Sequence, residues 1–91
     1  MKIYPLNTGN FNVAIGNTAL VATKGGNNTG IGHNAGYNLT TGTNNTIIGY
    51  YTGLGITTGG KNTIIGASIS GLATSLSNTI IFQPISSQLN I

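Results

Sequence analysis

The pentapeptide NTIIG stands at residues 45–49 and again at 62–66, and the related NTIIF stands at 78–82. Two looser copies precede them, NVAIG at 12–16 and NTGIG at 28–32. The five copies therefore begin at Asn12, Asn28, Asn45, Asn62 and Asn78, at nearly constant intervals. Because a fixed short period within one chain is typical of stacked repeat proteins, this motif decides the fold before local propensities do.

The composition of the repeat indicates which kind of stack it forms. Sixteen or seventeen residues are too few for a helix–turn–helix unit, and β-branched residues and Gly outnumber helix formers. Two short strands joined by two tight turns fit the period, which is one coil of a flattened β-roll. We therefore expect an all-β fold, a parallel β-solenoid (left-handed β-roll) of about five coils of roughly 16–17 residues. Residues 9–82 form the repeat domain, 1–8 lead into it, and 83–91 form a cap or connector.

Strand alternation divides the two apolar positions of the motif between opposite faces. The second position is Ile in every copy, so it is predicted to be the buried core ladder, Ile15, Ile31, Ile48, Ile65 and Ile81. The preceding position varies from small to strongly apolar. Because an exposed Ile patch usually marks an interface, it is predicted to be the oligomer interface, Ala14, Ile47, Ile64 and Ile80. A thin single roll gains little from burial, so an intertwined or side-by-side homotrimer is expected.

Two polar or small columns are predicted to form the corners of each coil. The Gly column should adopt positive φ where a Cβ would clash, at Gly16, Gly32, Gly49 and Gly66. The Asn column should supply the second corner, and stacked Asn side chains can hydrogen-bond along a ladder. Its members are Asn12, Asn28, Asn45, Asn62 and Asn78.

The stretches NTGIGHNAG at 28–36 and GTNNTIIGYYTG at 42–53 resemble the N-T-A-I-G-x-x-A-G repeats of phage and bacterial tail-fibre proteins. They are also similar to the head repeats of trimeric autotransporter adhesins, whose period is somewhat shorter. The resemblance covers residues 9–82 and implies a trimeric left-handed parallel β-roll. It further implies an extracellular stalk or host-attachment module in a virion fibre or a cell-surface appendage.

The charge pattern argues against several classes of partner. The chain contains Lys2, Lys24 and Lys61 but no Arg, Asp or Glu, and three separated lysines do not form a nucleic-acid-binding patch. No stretch approaches the length of a membrane span, so membrane insertion is not expected. The opening residues 1–9 do not resemble a signal peptide. This favours either a segment of a longer chain or export by another route, such as assembly into a phage particle.

The residues needed for catalysis are largely missing. Without Asp, Glu or Cys there is no carboxylate pair and no thiolate, and His33 is the only imidazole. One His makes neither a triad nor a metal site, so His33 is interpreted as a surface turn residue. We therefore expect no enzymatic activity, no cofactor and no metal.

Two other sets of residues leave alternatives open. Tyr37, Tyr50 and Tyr51 either pack along the flank of the roll or between subunits, or contact a host glycan or receptor. The pairs Thr40–Thr41, Thr57–Thr58 and Thr74–Ser75 either form turns or order water as in ice-binding solenoids. A further alternative is a self-polymerising filament, because uncovered coil ends can stack on one another.

Overall fold

The computed structural model of the protein describes residues 7–83. Within that range it contains no helix and five strands, β1 (Val13–Ile15), β2 (Thr29–Ile31), β3 (Thr46–Ile48), β4 (Thr63–Gly66) and β5 (Ile80–Gln83). Each strand pairs in parallel with the next strand of the chain, so one sheet has the order β1-β2-β3-β4-β5. The predicted all-β parallel solenoid is confirmed, whereas the left-handed winding and the trimer stay predictions.

The predicted terminal segments lie almost entirely outside the described residues. Of the lead-in (1–8) and the cap or connector (83–91), only residues 7, 8 and 83 are described. Thr8 already belongs to the stack, because its backbone N–H donates to the carbonyl oxygen of Thr23 at 2.9 Å. No helix long and apolar enough to cross a membrane occurs between residues 7 and 83.

Each coil contributes one strand to the sheet, although the sequence predicts two. The segment after each strand is a series of turns, because it contains a residue in the left-handed conformation, which interrupts an extended chain. These residues are Thr18, Asn34, Tyr51 and Ser68, with φ between 49° and 62°. The turns still bond from coil to coil: the Tyr51 N–H donates to the His33 carbonyl at 2.9 Å and the Ser68 N–H to the Tyr50 carbonyl at 2.8 Å.

A ladder of buried Asn side chains runs through the stack. Asn45 shows the pattern: its Oδ1 accepts from the Nδ2 and backbone N–H of Asn62 at 2.9 and 3.2 Å. Its Nδ2 donates to Oδ1 of Asn28 at 3.1 Å and to the Gly59 carbonyl at 3.0 Å. Two donors and two acceptor sites are the whole capacity of an amide, so Asn45 is buried with every site used. The predicted Asn ladder is confirmed for Asn12, Asn28, Asn45 and Asn62.

The ladder Asn residues are not the corner residues that the sequence predicts. The left-handed conformation belongs one position earlier in each coil, at Phe11, Asn27, Asn44, Lys61 and Asn78, with φ between 55° and 63°. A ladder side chain must point inward from an extended backbone, and the residue before it turns the chain. The corner prediction is therefore wrong for Asn12, Asn28, Asn45 and Asn62, whereas Asn78 does have a corner conformation.

The last coil is displaced by one residue from its apparent motif. Thr63 pairs with Ile80 and Ile64 pairs with Ile81. The backbone N–H of Thr79 donates to Oδ1 of Asn62 at 3.1 Å, so Thr79 occupies the ladder position in place of Asn78. The motif NTIIF is thus not in register with NTIIG, and the last step of the ladder runs from Asn62 to Thr79.

The predicted faces of the strands are reversed in β1 to β4. Ala14, Ile47 and Ile64 are buried members of the core, so the predicted interface is wrong at these three positions. The side chains predicted as core point outward instead, at Ile15, Ile31, Ile48 and Ile65. The physical reason is the ladder: because the Asn side chain points inward, strand alternation also turns the residue two positions later inward.

The displacement of β5 changes the outcome for the last coil. Ile81 packs partly buried against the core, as predicted for the core ladder. Ile80 is 80% exposed and Phe82 is 65% exposed, so Ile80 does lie on the outer surface predicted for it.

Within the core, a large side chain fills the space that a small residue of the neighbouring coil leaves. Gly30 occupies the inward position at which the next coils carry Ile47 and Ile64. A Cβ on Gly30 would lie 2.6 Å from Cγ of Leu20, so the Leu20 side chain fills the space that Gly30 leaves. The inward column can therefore vary while the core stays filled.

The Gly column forms the corner at the end of β1 to β4, as predicted. Gly16, Gly32, Gly49 and Gly66 all have positive φ, from 123° to 150°. A Cβ on Gly49 would lie 1.7 Å from the carbonyl oxygen of Gly66 in the next coil. Stacking at this corner therefore requires the absence of a side chain as well as the conformation that Gly permits.

We expect the Gly49→Ala substitution to destabilise the stack by more than about 3 kcal/mol, because backbone must move to relieve the clash. Gly71→Ala is the matched control, since Gly71 also has positive φ (69°) but nothing lies within 4 Å of its added Cβ. The control should cost about 1 kcal/mol from conformation alone. Chemical denaturation of both variants measures the difference, and equal losses would contradict the role of close coil contact.

Candidate functional site

The outward side chains of the sheet form a regular surface, here called the strand face. Its first column is Val13, Thr29, Thr46, Thr63 and Ile80, and its second column is Ile15, Ile31, Ile48, Ile65 and Phe82. The three middle strands repeat Thr-x-Ile, and successive strands of a sheet lie about 4.8 Å apart. None of the ten side chains is charged. The face is thus a charge-free strip of methyl and hydroxyl groups.

The two ends of the strand face are more apolar and more exposed than its middle. Val13 and Ile15 at one end are 44% and 42% exposed, and Ile80 and Phe82 at the other end are more exposed still. The Thr and Ile side chains that β2 to β4 contribute to the two columns are half-buried. The sequence-based prediction missed this face because it placed the second Ile of each motif in the core. Strand alternation then assigned the wrong side chains to the outer surface.

A cluster of three rings lies on the turns that follow β2 and β3, and is here called the ring cluster. The ring centroids of Tyr50 and Tyr51 are 4.5 Å apart, and the His33 centroid lies 5.8 Å from that of Tyr50 and 5.4 Å from that of Tyr51. Tyr37 is exposed but makes no ring contact with the cluster among the described residues. The structure therefore brings two of the three predicted Tyr residues together and adds His33.

The addition of His33 follows from the repeat period. His33 and Tyr50 each follow the corner Gly of their own coil, so they occupy the same position in neighbouring coils. As predicted, His33 lies in a surface turn, and its Nδ1 is 3.2 Å from the Asn17 carbonyl oxygen. Residues 7–83 contain no group of three or more His, Cys, Asp or Glu side chains that could hold a metal.

The Thr pairs lie in turns and bends and not on strands. Two of the three first members bond to the next coil: Thr40 Oγ1 donates to the Thr57 carbonyl at 3.2 Å, and Thr57 Oγ1 to the Thr74 carbonyl at 3.5 Å. These hydroxyl groups therefore hold coils together, as the turn interpretation expects. The Thr column that faces outward from strands is the separate set Thr29, Thr46 and Thr63.

The Asn ladder has distinct ends. At the first coil, Nδ2 of Asn12 donates to Oδ1 of Asn7 at 3.2 Å, so Asn7 supplies the acceptor that a preceding coil would give. At the last coil, Thr79 replaces Asn, and its Oγ1 donates to the Ser77 carbonyl at 2.9 Å. Gln83 stacks on Gly66 in the Gly column. The last described coil thus lacks both residues on which coil-to-coil stacking depends.

Comparison of the chain with protein-family models, with curated proteins and with solved structures finds no match. The similarity to tail-fibre and adhesin-head repeats therefore rests on the motifs themselves.

A buried hydroxyl next to the ring cluster gives a test of the core. Thr52 follows Tyr51 in the chain, is fully buried, and its Oγ1 has no hydrogen-bond partner. Thr23 is also fully buried, but its Oγ1 donates to the Leu39 carbonyl at 3.3 Å.

We expect Thr52→Val to raise the free energy of unfolding by about 1 kcal/mol, because it removes an unpaired hydroxyl without changing the volume. Thr23→Val should lower it by about the same amount, because it removes a hydrogen bond. Denaturant titration of the two variants decides, and a destabilising Thr52→Val would show that this hydroxyl has a partner.

Proposed function

We propose that the chain is a non-enzymatic structural and attachment segment that associates with copies of itself through the strand face. The observation that carries the proposal is the strand face itself. Ten uncharged side chains repeat at a constant interval, and the most exposed among them are Ile80 and Phe82. A contiguous exposed apolar surface of this kind favours burial against a protein partner.

The regularity of the strand face favours another copy of the chain as that partner. When the symmetry axis runs parallel to the stack, the two outward side chains of each strand meet the same two side chains in the neighbouring copies. Because the face carries no charge, this arrangement brings no like charges together, although the chain as a whole has a net charge of +3. A face only two columns wide suits convergence of three copies on one axis, so a homotrimer is the proposed assembly.

Such an assembly would serve as a rigid stalk that presents a host-binding surface outside the cell. Solenoid coils contact mainly their neighbours, so a roll is extended by adding coils without changing its cross-section. The similarity to tail-fibre and adhesin-head repeats supports a place in a virion fibre or a cell-surface appendage. End-to-end polymerisation is less favoured, because Thr79 and Gln83 interrupt the Asn and Gly columns at the last coil.

We expect light scattering to give a particle of three times the 9.2 kDa chain mass. Ile48→Lys should convert it to a monomer that keeps its β-type circular dichroism, because a charge at the centre of the strand face resists burial. Thr41→Lys, at an exposed position in the turn region, adds the same charge outside the strand face and should leave the assembly intact. A monomeric unmodified chain, or dissociation by both variants, would refute the proposal.

Ice binding is a second candidate, favoured by one observation. Thr29, Thr46 and Thr63 form a straight column beside Ile31, Ile48 and Ile65 on a parallel sheet, and regularly spaced hydroxyl and methyl groups can order water. This function needs the strand face to be uncovered, so it excludes the trimer. Thermal hysteresis in a monomeric protein, lost in Ile48→Lys but kept in Thr41→Lys, would establish it. A trimer without thermal hysteresis would exclude it.

A further inference from the structure

Folding of the roll does not require aromatic residues at the positions of the ring cluster. The equivalents of His33 and Tyr50 in the other coils are Asn17 and Ala67, which follow the corner Gly in the same way. The equivalents of Tyr51 are Thr18, Asn34 and Ser68, all small or polar and all with positive φ. The roll therefore forms equally with small or polar residues in these columns.

The conformation of Tyr51 is unfavourable for its side chain. Its φ is 49°, in the left-handed region where Asn is tolerated and bulky residues are outliers. Backbone strain of this kind tends to occur at functional sites, where the gain lies in binding rather than in folding. Tyr51 also remains 39% exposed and Tyr50 54% exposed, so neither ring is placed there by core packing.

We infer that the ring cluster binds the apolar face of a neutral pyranose sugar. Exposed aromatic rings offer flat faces to the C–H groups of a sugar, and the phenol groups can hydrogen-bond its hydroxyls. Asn34 follows His33 in the chain, and the Ser68 N–H donates to the Tyr50 carbonyl, so both residues lie beside the cluster. This inference rests on the proposed attachment function and names the chemistry of the partner.

The positions of the Lys residues favour a neutral sugar over an acidic one. The chain has no Arg, and the two Lys residues between positions 7 and 83, Lys24 and Lys61, lie in the segments that lead into β2 and β4. The ring cluster instead follows β2 and β3. An acidic sugar would therefore find no Lys or Arg partner within this chain's ring cluster, whereas stacking and neutral hydrogen bonds are available.

The test uses lactose and cellotetraose as probes and proton NMR as the readout. His33 is the only His of the chain, so its ring protons report on the cluster without ambiguity. We expect the His33 signals to shift in a saturable way with at least one probe. Tyr50→Asn should weaken binding by about tenfold or more, the effect of removing a stacked ring. Tyr37→Asn, at an exposed Tyr outside the cluster, should leave the affinity unchanged.

A second variant separates binding from structure. Tyr51→Asn introduces the residue that the neighbouring coil carries at the equivalent position, Asn34, which also has positive φ. The substitution should weaken sugar binding by about tenfold while the melting temperature stays constant or rises. A fall in melting temperature with unchanged binding would show that the rings are structural, and the inference would be overturned. Absence of any saturable shift with both sugars would also overturn it.

The oligomeric state of the same samples distinguishes this inference from the proposed function. A trimer that binds neither sugar refutes the ring cluster as a sugar site and leaves the assembly standing. A monomer that binds sugar refutes the assembly and keeps the ring cluster. Dissociation of the trimer by Tyr50→Asn, with no effect on sugar binding, would place the rings in the subunit interface and overturn the inference.

Discussion

The hydrogen bonding of the buried Asn ladder is the constraint on which the rest of the fold depends. An amide sealed from water is costly unless its donors and acceptors are paired. Asn28, Asn45 and Asn62 avoid this cost only while each coil sits directly on the next. The ladder therefore resists slippage, and slippage by a single residue would turn every strand side chain to the opposite face.

The inward column of the strands varies more in side-chain size than the two outward columns. Inward positions share one continuous core, so a missing side chain at Gly30 can be replaced by Leu20 from a different part of the coil. Val13 and Ile80 stand in the first outward column of the terminal strands, so the fold accepts other residues there. The regular Thr29, Thr46 and Thr63 between them therefore point to a function for the strand face.

The period and the β-branched composition were enough to predict the solenoid, the parallel pairing, the positive φ of the Gly column and the existence of an Asn ladder. The inward and outward faces of the strands could not be predicted correctly while Asn was taken as a corner residue. The direction of the Asn side chain determines which of the alternating strand residues point inward. Had Asn45 been assigned to the interior, alternation would have turned Ile47 inward and Ile48 outward. Had the even spacing of Thr40, Thr57 and Thr74 been continued from Asn62, it would have placed the last ladder position at Thr79 in place of the predicted Asn78.

Two surfaces exceed what the fold requires, and the Gly corner separates them. The strand face ends at Ile48, the chain turns at Gly49, and the ring cluster begins at Tyr50. Association through the strand face would therefore leave the rings on an adjoining side of each coil. Because His33 and Tyr50 come from equivalent positions of neighbouring coils, the same stacking that builds the roll also assembles the ring cluster. A stalk built from such coils can thus acquire a binding site by substitutions in its turns, without any change to the ladder that holds it together.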